Sequence, residues 1–140
     1  MTNQDMARAP GWTLSSRAVT CKHWRWMPGM LASDAGGNQH RVIEHDEGRE
    51  YVTTMLRDYN DAHVQSSARA VDLTPVLDDP ATLGCLLHLV REAWKAERAN
   101  AWWCGPLRAW AADVRIIDRG RVFHGDTEAE ALVIALEAAP

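Results

Sequence analysis

The stretch Asp79-Pro80-Ala81-Thr82-Leu83-Gly84-Cys85-Leu86-Leu87-His88-Leu89-Val90-Arg91-Glu92-Ala93-Trp94 decides the fold class, because it both opens and patterns itself as a helix. Asp79 suits the N-cap, where a carboxylate accepts from the orphan N–H groups of the first turn. Pro80 suits the first helical position, where a missing N–H removes no bond. Leu83, Leu86, Leu87, Val90 and Trp94 recur at helical spacing as one apolar stripe. His88, Arg91, Glu92 and Lys95 fall mostly on other faces. Asn100 tolerates the left-handed conformation of a helix stop, so the pattern predicts a helix over residues 80–98. Leu83, Leu87, Val90 and Trp94 are expected to be mostly buried.

Towards the C-terminus, Trp110, Ala112, Val114 and Ile116 alternate with Ala111, Asp113, Arg115 and Ile117, the period-two pattern of a strand with one wetter face. Asp118-Arg119-Gly120 reads as a turn, and Arg121 to His124 as the returning strand of a hairpin over 110–124. Thr127 and Glu130 have capping-box spacing, and Ala129, Leu132, Val133 and Leu136 form a narrow apolar stripe, which predicts a helix over 127–138.

Towards the N-terminus the signals are weaker. Residues 1–16 are polar and punctuated by Pro and Gly, an expected arm ahead of one domain over 17–140. Residues 21–27 alternate, with Trp24 and Trp26 on one side of an expected strand that Pro28-Gly29 ends. A loop around Gly36-Gly37 follows. Residues 41–45 and 51–55 are expected to pair across Asp46-Glu47-Gly48. Residues 60–69 are mostly polar, and 70–77 read as a final extended segment. The expected fold is α+β: an antiparallel sheet from the N-terminal strands and the 110–124 hairpin, with two helices packed on it.

Composition bounds what such a domain does. The chain has 140 residues, 46% hydrophobic and 24% charged, enough for a core without disulfides or metal. Fifteen Lys and Arg against nineteen Asp and Glu leave −4, which argues against nucleic-acid binding driven by clustered cations. Cys21, Cys85 and Cys104 form no CxxC pair, as expected of reduced thiols in the cytoplasm. No signal-like apolar segment opens the chain, and the longest apolar run near the end, residues 131–136, is far short of the ~20 residues of a membrane span.

Candidate chemistry is sparse. His40, Glu44, His45 and Asp46 lie close in sequence, but neither helical nor strand spacing gathers them on one side, and HExxH is absent. No metal or other cofactor is expected. No GxSxG elbow, P-loop or dinucleotide fingerprint is present. Cys85 reads as a small buried hydrophobe, and a spatial pair of Cys104 with His124 is the alternative nucleophilic site. The acidic residues Glu44, Asp46, Glu47, Glu50, Asp58 and Asp61 are interrupted by Arg41, Arg49 and Arg57, the pattern of a solvated mixed-charge surface.

Tryptophan is the compositional anomaly: seven Trp against three Phe and Tyr together. Trp94 and Trp110 are assigned to the interior. Trp24, Trp26, Trp102 and Trp103 are the candidate protein-binding residues, because indoles bury much area with few rotors. Adjacent Trp102 and Trp103 must diverge, so one is expected in the core and the other partly exposed.

Asp79-Pro80-Ala81-Thr82-Leu83-Gly84-Cys85-Leu86-Leu87, Arg91-Glu92-Ala93-Trp94 and the ending Asp126-Thr127-Glu128-Ala129-Glu130-Ala131-Leu132 resemble small phage- and prophage-encoded proteins. The order helix, tryptophan-bearing hairpin, helix is similar to the phage ABA sandwich domain over residues 78–139. The resemblance implies a fold and a setting in the cytoplasm of a bacterial host, with no catalytic residues to carry over. The expected role is a non-catalytic accessory protein that binds a host or phage protein, with inhibition of a bacterial defence system as one form. The alternatives are a small enzyme with a His/Asp or Cys/His site assembled in space, and a minor structural or assembly component. The latter would expose a self-complementary apolar patch and form a homo-oligomer.

Overall fold

The computed structural model describes residues 13–57, 62–116 and 119–140. Among them lie three α-helices and eight strands, every strand pair antiparallel, so the α+β expectation is borne out. The strands form two sheets, however, where one was expected. The described residues divide into two compact units, one within residues 25–85 and the other formed by residues 13–24 with the described part of 86–140.

The first unit holds five strands: β1 (Leu31–Ser33), β2 (Gln39–Glu44), β3 (Tyr51–Arg57), β4 (His63–Arg69) and β5 (Thr74–Pro75), in the order β4-β3-β2-β1-β5. The expected loop around Gly36-Gly37 joins β1 to β2. Asp34 Oδ1 accepts from the Gly36 and Asn38 N–H groups, and Gly37 takes a φ of +82° that its missing Cβ makes cheap. The expected pairing of β2 with β3 is also present, with a register shift between Val42 and Glu44. Ala32, His40, Val42, Val52 and Thr54 are buried from this sheet.

Two segments read differently from expectation. Residues 21–27 form no strand: the Trp24 N–H bonds back to the Cys21 carbonyl and the Met30 N–H to that of Met27, so local turns consume the groups a ladder would need. Residues 63–69, read only as polar, form β4. An edge strand with most side chains in water needs no apolar alternation, so the pattern carried no sign of it. Residues 70–77 resolve into a 3-10 turn, Ala70–Asp72, and the two-residue β5.

The helix α2 (Pro80–Trp94) opens as its sequence dictates. Asp79 Oδ2 accepts from the Thr82 N–H at 3.0 Å and the Asp79 carbonyl accepts from the Leu83 N–H. Arg41 reaches the same carboxylate from β2 at 2.7 Å and also donates to the Gly29 carbonyl, while the Thr82 hydroxyl accepts from the Leu31 N–H. One cap thus ties three elements. The Arg41 guanidinium is the main cause holding the Asp79 carboxyl below its ordinary range. A folded-state value below the unfolded value near 3.9 means that this stabilisation is complete above that pH. It is lost as pH falls through the folded value. Melting temperatures measured from pH 5 down to about 2.5 are expected to fall more steeply for wild type than for Asp79→Asn. Parallel curves would remove the pair from the acid response.

The helix stops earlier than residue 98. Lys95, at a φ of +51°, takes the left-handed position, and the Ala96 N–H bonds to the Arg91 carbonyl, a six-to-one closure with buried Ala96 as its apolar contact. Asn100, expected to terminate the helix, begins a strand instead. Along α2 the buried side chains are Thr82, Leu86, Leu89, Val90 and Trp94, while Leu83 and Leu87 are half-buried. The buried stripe is therefore rotated from the expected one.

The second unit carries β6 (Asn100–Cys104), β7 (Ala109–Ile116) and β8 (Arg119–Gly125) in the order β6-β7-β8. The expected 110–124 hairpin is β7 with β8, but Arg119 and Gly120, read as turn, are already strand, paired with Ile116 and Arg115, while Ile117 and Asp118 lie outside the described residues. Ala111 and Asp113, assigned to a wetter face, are buried like Ala112 and Val114, so both sides of mid-β7 are covered. The helix α3 (Glu128–Glu137) follows, with the Thr127 hydroxyl accepting from the Glu130 N–H as its N-cap. It packs on this sheet, and Arg17 of the short helix α1 (Leu14–Thr20) forks onto Glu137 at its end. The expected arm is thus helical from Leu14, and residues 1–12 lie outside the described residues.

Gly125 makes the turn from β8 into α3 at close quarters. A Cβ there would stand 2.6 Å from the Ala131 nitrogen, in backbone that cannot swing aside. Gly125→Ala is expected to destabilise by about 1–3 kcal/mol through overpacking. A urea titration showing less than about 0.5 kcal/mol would mean that the β8–α3 corner yields freely.

Candidate functional site

Strand β6 is an end strand of its sheet, bonded to β7 on one side. Strand alternation sends Trp102 and Trp103 to opposite faces. Trp102 is 38% exposed and Trp103 52% exposed, so neither is the core residue that one of them was expected to be. Trp103 lies directly across from Trp110 in the ladder, and the two rings meet edge-on, centroids 6.1 Å apart at 67°. That contact fixes the Trp103 ring while leaving half of it in water, at a cost in rotor entropy already met by the fold. Trp102 shares its face with Ala111 and exposed His124, the neighbours that the register places beside it. Leu107, in the β6–β7 turn, is 62% exposed. Sequence reasoning passed over Leu107, although an apolar residue in a Gly-Pro turn is a readable sign of it.

The other two candidate tryptophans are less exposed. Trp26 is buried and Trp24 half-buried, so neither presents a free indole face of comparable size.

A second arrangement has the outline of a catalytic relay. His40 Nε2 donates to Asp34 Oδ2 at 2.9 Å, and its Nδ1 stands 2.9 Å from the Thr54 hydroxyl. The hydrogen bond from His40, then that from the Asn38 N–H, holds the Asp34 carboxyl down to about 2. Carboxylate, imidazole and hydroxyl in series match the parts of a nucleophile-activating triad. Access is reversed, however: Thr54 is wholly buried while Asp34 reaches the surface, so no substrate carbonyl can approach the hydroxyl. The trio ties the β1–β2 turn to β3, which satisfies a buried imidazole on both sides.

The remaining polar groups do not converge on chemistry. An open cleft of about 330 Å³ at the β2–β3 turn is lined by Glu44, His45, Asp46, Arg49, Glu50, Tyr51 and Thr53. His45 Nε2 donates to the Arg49 carbonyl, Arg49 pairs with Asp46, and Arg69 pairs with Glu50. This is the mixed-charge surface read from the sequence, with Asp58 and Asp61 outside the described residues. His40 points into the buried relay and is separated from His45, and among the described residues no three His, Cys, Asp or Glu side chains form a metal-binding group. Burial raises the Cys21 and Cys85 thiols above their ordinary value, so neither is an activated nucleophile. Cys104 and His124 sit on β6 and β8 with β7 between them and are offset by two residues, roughly 10 Å across the sheet and out of hydrogen-bond reach.

Among the described residues no helix is long and apolar enough to cross a membrane. No family model, curated protein or solved structure matches the chain.

Proposed function

We propose that this protein acts without catalysis, by binding another protein through the tryptophan-bearing edge of β6. The observation that carries the reading is the pair of exposed indoles on opposite faces of one end strand, with Trp103 held edge-on by Trp110. Ordered indoles lose little entropy on binding, and each can supply about 2 kcal/mol or more when desolvated in a partner's pocket. The narrower reading is a phage or prophage accessory protein that binds a host or phage protein and inhibits a bacterial defence system. It is supported by the resemblance of residues 78–139.

The test compares wild type with Trp102→Ala and Trp103→Ala as baits in a bacterial lysate, with melting curves in parallel. Trp102→Ala is expected to cost about 1–2 kcal/mol, since more than half of its indole is covered. Trp103→Ala is expected to cost up to about 1.5 kcal/mol, through its lost ring contact. Each should weaken retention of a wild-type-specific partner by roughly thirtyfold, the equivalent of about 2 kcal/mol. A partner retained equally by both folded variants would place the interface elsewhere.

A further inference from the structure

Sheets meet one another at unprotected edges, and the four edges described here are not alike. Strand β5 is two residues long and contains Pro75, β4 is polar and carries Arg69, and β8 carries Arg119 and Arg121 on either side of Gly120. Strand β6 alone, Asn100-Ala101-Trp102-Trp103-Cys104, has no charge and no proline. Among the described residues its one neighbour in the sheet is β7, and Asn100, Trp102 and Trp103 are exposed.

We propose that β6 pairs antiparallel with β6 of a second copy of this chain, about a two-fold axis through Trp102, joining two three-stranded sheets into one of six strands. The register follows from geometry. Residues opposite each other in a continuous pleated sheet point to the same face, so only residues of like parity can oppose. Pairing centred on Ala101 would draw Arg98, in the turn before the strand, into the ladder. Pairing centred on Trp103 would extend it to Pro106, which has no N–H. Centring on Trp102 pairs all five residues: Asn100 with Cys104, Ala101 with Trp103, and Trp102 with its own copy. The large Trp103 indole then lies over the small Ala101 on one face, the two Trp102 rings adjoin on the other, and no like charges oppose within the strand. A neutral strand suits a like partner, whereas a charged partner would find no counter-charge on it.

Self-pairing covers the main-chain edge and leaves indole faces on both sides of the dimer. It therefore stands apart from the partner-binding role: a dimer that captures nothing overturns that role alone, and a monomer that captures a partner overturns this inference alone.

The experiment is sedimentation equilibrium of the full chain over a dilution series, for wild type and Trp102→Lys. Wild type is expected to dimerise reversibly. Trp102→Lys, which sets two ammonium groups opposite each other across the axis, is expected to weaken the dimer at least about tenfold while circular dichroism stays unchanged. A wild-type chain that remains monomeric to about 0.5 mM overturns the proposal, as does a dimer indifferent to a folded Trp102→Lys, because standard specific interfaces persist well below that concentration. Should Trp102→Lys not fold, Asn100→Cys decides. Mild oxidation is expected to give a covalent dimer whose disulfide joins position 100 to Cys104 of the other copy, identified by mass spectrometry and abolished by Cys104→Ser. Absence of that linkage overturns the register and the proposal with it.

Discussion

Trp94→Ala is expected to lower the unfolding free energy by about 3–5 kcal/mol, the range for removing a large buried aromatic side chain. Three contacts meet at this one ring. It is 9% exposed, its Nε1–H donates to the Ala135 carbonyl in α3 at 2.7 Å, and its face tilts against Phe123 of β8 with centroids 5.8 Å apart. The Arg121 guanidinium lies 5.9 Å from the ring centroid on the same strand. The truncation therefore leaves a cavity between a helix end and a sheet and also strips a buried carbonyl of its donor. Trp94→Phe separates the two losses. It restores most of the apolar volume but not the N–H, so a residual cost of about 1–3 kcal/mol is expected from the unsatisfied carbonyl. Chemical denaturation of the three proteins is the measurement. If Trp94→Phe proves as damaging as Trp94→Ala, ring volume is not what this site contributes. A loss below about 1 kcal/mol for alanine would remove Trp94 from the core.

How far such a residue could be found in advance depends on how local its signal is. Asp79, Pro80 and Thr127 act through atoms within four residues of themselves, so both helix starts were legible. The helix end at Trp94 was not, because Lys95 carries a left-handed φ that glycine or asparagine ordinarily takes. Turn chemistry at Gly37 and Gly48 was readable for the same local reason. The polar strand β4 was invisible because an edge in water places no demand on its side chains, and the division into two sheets depends on pairings that no alternation within one strand encodes. At the candidate site the anomaly of tryptophan was plain and the divergence of Trp102 and Trp103 followed from adjacency. What could not be read is that β6 is an end strand of its sheet, where neither Trp102 nor Trp103 is fully covered. The Asp34–His40–Thr54 relay joins residues across three segments, and nothing in their spacing marks it.

The stripe on α2 gives the sharpest test of what periodicity leaves undetermined. Leu83, Leu86, Leu87, Val90 and Trp94 fit one helical face, yet with Leu89 and Ala93 six of the nine residues from Leu86 to Trp94 are apolar, a band broad enough to admit more than one rotation. Tertiary packing chooses among them. Leu86 is fully buried, and Leu89 and Val90 nearly or fully so, whereas Leu87 is half-buried. Leu86 and Leu87 lie about 100° apart on the helix, and the neighbouring elements cover the direction of Leu86 more completely than that of Leu87. Leu86→Ala is accordingly expected to cost about 2–5 kcal/mol, the transfer energy of the lost atoms together with the cavity they leave. Leu87→Ala should cost about half as much or less, since water already reaches the site and no closed cavity forms. Both variants keep helix propensity, because alanine is at least as good a helix former as leucine, so the difference between them reports burial alone. Urea titrations with matched m-values read it directly. Equal losses, or a larger loss for Leu87, would rotate the helix back to the orientation its leucine spacing first suggested.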